Sequence, residues 1–186
     1  MSSTAALDIR RFIDERPVSR YQMRVAVMCG LIVFVDGFDA QAMGYVAPAL
    51  TVALKIPRGV LGSVISSGLV GMMIGALVSG PLADRIGRKP VLIGCSLIFG
   101  LGSLLTATAQ SVESLMFWRA ITGLGMGGAM PNAIALTSEY MPQRRRAGAV
   151  TMMICGFSLG AAVGGLVAAS IIPRFGWPSV FISPAL

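Results

Sequence analysis

From residue 24 onward, long apolar runs are interrupted at short intervals by charged, Pro- or Gly-containing segments. The runs predict helices over about Arg24–Leu50, Val60–Ala83, Val91–Ala109, Leu115–Tyr140 and Ala147–Ile172. Each has roughly the 20 mostly apolar residues that a membrane-crossing helix needs. After Pro173–Pro178, the segment Ser179–Leu186 reads as the opening of a sixth span cut short. The first 20 residues are polar, with Leu7, Ile9, Phe12 and Ile13 interspersed among charges. A short amphipathic interfacial helix and a solvated tail both fit that pattern. No basic stretch leads into a short apolar run with a cleavage site, so the tail is expected to be retained. The chain therefore divides into a polar tail, 1–20, and an incomplete transmembrane bundle, 21–186.

Composition strengthens this reading. Apolar residues make up 55% of the 186, charged residues only 12%, and mean hydropathy is +0.78. That charged share is about half the usual one for a soluble domain, and a disordered chain would be richer in charge still. A net charge of +7 could point to nucleic acid. Its distribution argues otherwise. With the N-terminus inside, Arg10, Arg11, Arg16, Arg20 and Arg24 share one side with Arg85, Arg88, Lys89, Arg144, Arg145 and Arg146. Only Lys55, Arg58 and Arg174 fall on the other, and Arg119 is left within a span. This is the positive-inside bias of a multi-pass membrane protein with a cytoplasmic N-terminus. The basic balance marks topology, and no nucleic-acid partner is expected.

The candidate chemistry is narrow. There is no histidine, and Cys29, Cys95 and Cys155 lie within apolar runs at no metal-ligand spacing. No metal, cofactor or catalytic centre is implied, and the thiols read as small hydrophobes facing lipid or core. The informative residues are charges inside spans, which cost about 3 kcal/mol or more near a helix centre. Asp36 and Asp39 are spaced to share one face of the first helix near the bilayer midplane. Two close carboxylates in a low dielectric cannot easily both ionise, as a group that loads and releases a proton near neutral pH requires. A structural pair satisfied by donors on a partner helix is the alternative. Arg119 enters the fourth helix at a depth that brings it near Asp39. It can neutralise that aspartate, clamp a substrate carboxylate, or snorkel to the interface.

Small residues form stripes: Gly71, Gly75 and Ser79; Gly123 and Gly127; Gly156, Gly160 and Gly164. Such spacing lets helix backbones approach closely in lipid, either for fixed packing or for sliding during a conformational cycle. Pro48, Pro131 and the cluster at Gly125–Gly128 are expected to kink or break their helices, as happens beside transport pathways.

Between the second and third helices, the run from Gly80 to Leu92 (GPLADRIGRKPVL) resembles the G-x-L-A-D-R-x-G-R-K-x-x-L signature of the major facilitator superfamily at all nine fixed positions. Gly87 permits a tight turn there. Asp84, Arg85, Arg88 and Lys89 can form a charge network. The resemblance implies a conformational latch built from Gly80, Asp84, Arg85, Gly87, Arg88 and Lys89, joined by Glu139 and Arg144–Arg146 from the end of helix 4. Arg119-x3-Gly123-x-Gly125 resembles that superfamily's R-x-x-x-G-x-G motif. Thr122 stands where antiporter relatives commonly have glutamine, which weakens transfer of an antiport mechanism.

Asp36-Gly37-Phe38-Asp39 is similar to the D-G-[YF]-D signature of the aromatic acid:proton symporters. Met43-Gly44, Ala47-Pro48-Ala49-Leu50, Met130-Pro131-Asn132, Ser138-Glu139-Tyr140 and the run from Gly156 to Gly160 extend that resemblance, which looks closest to transporters of 4-hydroxybenzoate, protocatechuate and benzoate. It implies a twelve-helix fold of two six-helix halves, each made of inverted three-helix repeats, in which helices 1 and 4 line the central cavity and helices 2 and 5 face the other half. It also implies a carrier of the bacterial inner membrane that imports aromatic acids with protons, through Asp36, Asp39 and Arg119, and is monomeric when complete. The chain is then five spans and part of a sixth of the N-terminal half, missing its C-terminal half and inactive alone. A sugar or drug carrier and a non-transporting five-span subunit are the alternatives; a membrane enzyme is not expected.

Overall fold

A computed structural model describes residues 18–53 and 57–182. All the described elements are helices. These are α1 (Arg20–Ala53), α2 (Arg58–Ile86), α3 (Arg88–Ala107), α4 (Val112–Tyr140), α5 (Gln143–Phe175) and the short α6 (Pro178–Ile182). The possible amphipathic segment in the N-terminal tail, up to residue 17, lies outside the described residues, as does Lys55.

Local chemistry sets the helix ends. At the start of α1 the Ser19 hydroxyl accepts the Gln22 amide N–H while the Gln22 side chain accepts from Ser19, a reciprocal cap. Ser111 and Ser114 close the start of α4 in the same way. Gly87 alone separates α2 from α3. Its φ of 95° lies where a β-carbon is strained, and its N–H bonds the Ala83 carbonyl at 2.9 Å. The glycine of the signature loop thus permits the immediate reversal expected of it.

Among the described residues, four helices are long and apolar enough to cross a membrane: α1, residues Gly59–Ile86 of α2, α3 and α5. The fifth expected span, α4, has 29 residues, ample length for a crossing. It also carries Arg119, Thr122, Asn132 and Thr137. All four side chains are buried against protein. This helix forms the inside of the bundle, packed against α2, α3 and α1, while α5 packs along α1 and α6 touches α3 and α5. The outer faces instead display large apolar side chains such as Met28, Leu69, Leu77, Leu97, Met152 and Leu166. A surface of this kind suits lipid and would be anomalous in water. The protein is a multi-pass membrane protein.

The small-residue stripes are used inside this bundle. β-carbons at Gly71 and Gly75 would collide with the backbone carbonyls of Ala120 and Leu124 on α4. Those at Gly123 and Gly127 would strike Gly68 and Met72 on α2. Across α1 and α5 the same reciprocity holds: Gly37 meets the Phe157 carbonyl and Gly160 the Phe34 carbonyl. The stripes of α2 and α5 therefore lie in close helix contacts within this bundle, α2 against α4 and α5 against α1. Gly156, with only the Gly30 carbonyl near at 3.8 Å, takes no part in close packing. Of the kinks or breaks expected at Pro48 and Pro131, neither is a break, for both helices continue through their proline. Beside Pro131, the Asn132 side-chain amide donates to the Gly128 carbonyl at 2.7 Å.

Candidate functional site

Asp36 and Asp39 sit near the middle of α1, 6% and 0% exposed. Gly37, between them, presses the opposite side of α1 onto α5, so both carboxylates turn toward α3 and α4. Their surroundings differ. Asp39 Oδ2 accepts a hydrogen bond from Arg119 Nη1 at 2.8 Å, and the Ser103 hydroxyl of α3 lies 3.4 Å from its Oδ1. Asp36 instead lines a cavity of about 400 Å³ between α1 and α3, with Ser96, Phe99, Gly100 and Ala129. Its Oδ1 is buried and finds no hydrogen-bond partner among the described residues.

Arg119 does not snorkel. It is 7% exposed, its Cζ stands 5.7 Å from the centre of the Phe181 ring, and its Nε is buried without a partner among the described residues. An ideal β-carbon at Gly68 of α2 would lie 3.8 Å from that Nε, so α2 leaves space beside the guanidinium. One edge of the fork holds Asp39, and the Nε edge keeps a donor unused. Such a donor can bind a second carboxylate. Glycine explains how the arginine is carried so deep: Gly123 and Gly127 bring α4 onto α2, while a β-carbon at Gly125 would come within 2.6 Å of the Cys95 carbonyl on α3.

At the other charged locus, Arg88 Nε donates to Glu139 Oε1 at 2.5 Å and ties the start of α3 to the end of α4. Asp84, Arg85 and Lys89 lie exposed on the same turn, and Arg144 stands in the first turn of α5 at the same end. Among the signature charges, Arg88 makes this contact with Glu139. A β-carbon at Gly80 would meet open space, so no described neighbour requires a glycine there.

Residues 29–186 match the family model for the Major Facilitator Superfamily. The chain belongs to the major facilitator superfamily. Within it, the chain is 52% identical over 177 residues to the 4-hydroxybenzoate transporter PcaK of Pseudomonas putida, covering 95% of this chain and 40% of that one. It is 43% identical over 182 residues to the gallate transporter of Pseudomonas putida, covering 98% of this chain and 40% of that one. The chain spans about two fifths of the length of these curated relatives. In fold it is similar to the xylose transporter XylE from E. coli, with a TM-score of 0.77 at 21% identity over 89% of this chain and 47% of that one. It is also similar to the POT family transporter PepTSo, with a TM-score of 0.70 at 21% identity over 91% of this chain and 35% of that one. Covering about half of the XylE fold, it forms part of one half of a major facilitator bundle.

Of the residues singled out in the sequence of this major facilitator chain, the structure joins Asp39 to Arg119 and Arg88 to Glu139. It leaves Asp36 apart from Arg119. Two contributors escaped sequence reasoning. Ser103 and Phe181 both touch the ion pair's surroundings, yet a lone serine in an apolar run and a phenylalanine after a proline carry no distinguishing signal.

Proposed function

We propose that the chain is part of the N-terminal half of a secondary active carrier that brings aromatic carboxylic acids, such as 4-hydroxybenzoate, into the cell together with protons. The reading rests on one observation, the buried Asp39–Arg119 pair beside Asp36, and is supported by relatives named as 4-hydroxybenzoate and gallate transporters. A guanidinium held inside the bundle needs an anion. Asp39 supplies it in this structure. An incoming aromatic carboxylate supplies it equally well, and Asp39 can then take a proton without leaving net charge in the membrane. Arg119 and Asp39 thereby couple the acid to the proton. The apolar ring of Phe181 over Arg119 suits an aromatic substrate, and Asp36 is a second proton-binding carboxylate one turn away.

On this reading the carrier lies in the bacterial inner membrane with its N-terminus cytoplasmic, on the side of the basic cluster. Gly80, Asp84, Arg85, Gly87, Arg88, Lys89, Glu139 and Arg144 form the inner latch, the missing half completes the cavity, and the whole acts as a monomer without enzymatic activity.

The test is uptake of labelled 4-hydroxybenzoate by the full-length carrier under an imposed pH gradient. Asp39→Asn should abolish gradient-driven accumulation. Benzoates should compete, and sugars and cationic drugs should not. Wild-type accumulation by the Asn variant, or competition by sugars, overturns the proposal.

A further inference from the structure

Three hydroxyl side chains lie on α3, and two of them satisfy themselves within the helix. Ser96 donates to the Leu92 carbonyl at 2.9 Å and Thr106 to the Gly102 carbonyl at 2.8 Å. This back-bonding is the usual resort of a hydroxyl in an apolar helix. Ser103 departs from it. Fully buried, it donates across to the Phe181 carbonyl of α6 at 3.0 Å and stands 3.4 Å from Asp39 Oδ1. Its place is fixed from behind, because Gly102 lets α3 press onto α4, where a β-carbon would come within 2.7 Å of Thr122 Oγ1.

We propose that Ser103 is a positioning residue that ties the protonation of Asp39 to the seating of α6 over Arg119. This deepens the proton-coupling reading above and rests on it. A hydroxyl has one proton to donate and lone pairs to accept with. While Asp39 is ionised, its Oδ1 competes with the Phe181 carbonyl for the Ser103 proton, and the charged acceptor draws it strongly. Once Oδ1 carries a proton, the competition ends. The acid O–H donates to Ser103 Oγ, and the serine proton goes wholly to the Phe181 carbonyl. A continuous chain from Asp39 through Ser103 to Phe181 then holds α6 in place, with the Phe181 ring over the guanidinium. Loss of the proton divides the serine between two acceptors and loosens α6. The groups that face Asp39 are Arg119 from α4 and Ser103 from α3, with Asp36 one turn away on α1. At this level α5 presents Gly160 and Gly164 and α2 presents Gly68, none of which titrates.

Trp177 offers a readout independent of transport: it is buried, with its ring centroid 6.3 Å from that of Phe181 in an edge-on contact. The full-length carrier is labelled with 5-fluorotryptophan, and its Trp177 resonance, assigned through Trp177→Phe, is followed by fluorine NMR as pH varies. With benzoate present to supply the anion to Arg119, the resonance should titrate in the wild type and in Ser103→Thr, and the titration should vanish in Asp39→Asn and in Ser103→Ala. In uptake assays, Ser103→Ala should displace the pH midpoint, because the acceptor of the protonated form and the donor to the ionised form are lost together. Ser103→Thr should restore it. A wild-type titration in Ser103→Ala, or a lowered uptake maximum with an unmoved midpoint, overturns the assignment. If the carrier accumulates no aromatic acid, the coupling reading itself fails, while the fluorine titration still judges the link between Asp39 and α6.

Discussion

Arg119 and Asp39 lie 80 residues apart in sequence and meet at 2.8 Å inside the bundle, with side chains 8% and 0% exposed. Each is the other's counter-charge at a depth where neither is tolerable alone. The pair therefore helps hold the bundle together, and the coupling role proposed for it separates from that structural role by experiment.

Removing one partner leaves an uncompensated buried charge, which typically costs about 3–5 kcal/mol. Asp39→Ala and Arg119→Ala should each lower the thermal unfolding temperature of the detergent-solubilised protein markedly. The double variant Asp39→Asn with Arg119→Gln, which buries no net charge, should recover most of that loss. It should not recover proton-driven uptake by the full-length carrier. Equal destabilisation of single and double variants would show that packing, not charge, dominates at this position.

The glycines of α2 make a sharper packing test, because neighbours on one helix should respond differently. A β-carbon at Gly71 runs into the Ala120 backbone carbonyl, which cannot move without displacing α4. Gly71→Ala should therefore destabilise by about 1–3 kcal/mol, the usual range for overpacking. At Gly68 the nearest atom to an added β-carbon is the Arg119 carbonyl at 3.6 Å, an ordinary contact. Gly68→Ala should stay within about 0.5 kcal/mol of the wild type. Unfolding midpoints of the two variants, measured side by side, check both statements.

Much of this arrangement is legible from residue pattern alone, and its limits have physical causes. The apolar runs locate the helices, and the depth of Arg119 in its run places it near Asp39. Glycine spacing identifies a face but not the neighbour it meets. Nothing in the spacing of Gly71 and Gly75 says that they approach Ala120 and Leu124 rather than another half of the protein. Hydropathy likewise tells α4 poorly from a soluble helix, since burial against protein permits Asn132 and Thr137 where lipid would not. Ser103 is silent for a further reason. Its role depends on which of two available acceptors it faces, and only the juxtaposition of α3, α1 and α6 decides that.

Cysteine accessibility tests the packing without any transport assay. Cys29 and Cys95 are buried between helices, whereas Cys155 faces outward on α5. In the folded, detergent-solubilised chain a small membrane-permeant maleimide should label Cys155 and spare the other two, while denaturation should expose all three. Labelling of Cys29 at the Cys155 rate would contradict the contact between α1 and the rest of the bundle.

The Arg88–Glu139 pair should behave in the opposite way to Asp39–Arg119. Its side chains are 36% and 53% exposed, so water and salt screen it, and exposed ion pairs contribute at most about 1 kcal/mol. Glu139→Gln should leave the unfolding temperature nearly unchanged. If the pair belongs to an inner latch, the same substitution should still alter turnover of the full-length carrier, because a small bias between two conformations changes their populations severalfold without unfolding either. Reversing the pair, with Arg88→Glu and Glu139→Arg together, should restore turnover toward the wild-type value, since the attraction survives while the residue identities do not. A large stability loss from Glu139→Gln, or failure of the charge swap to recover activity where both single reversals impair it, would show that the contact acts through packing or through a third group and not as an electrostatic tie between α3 and α4.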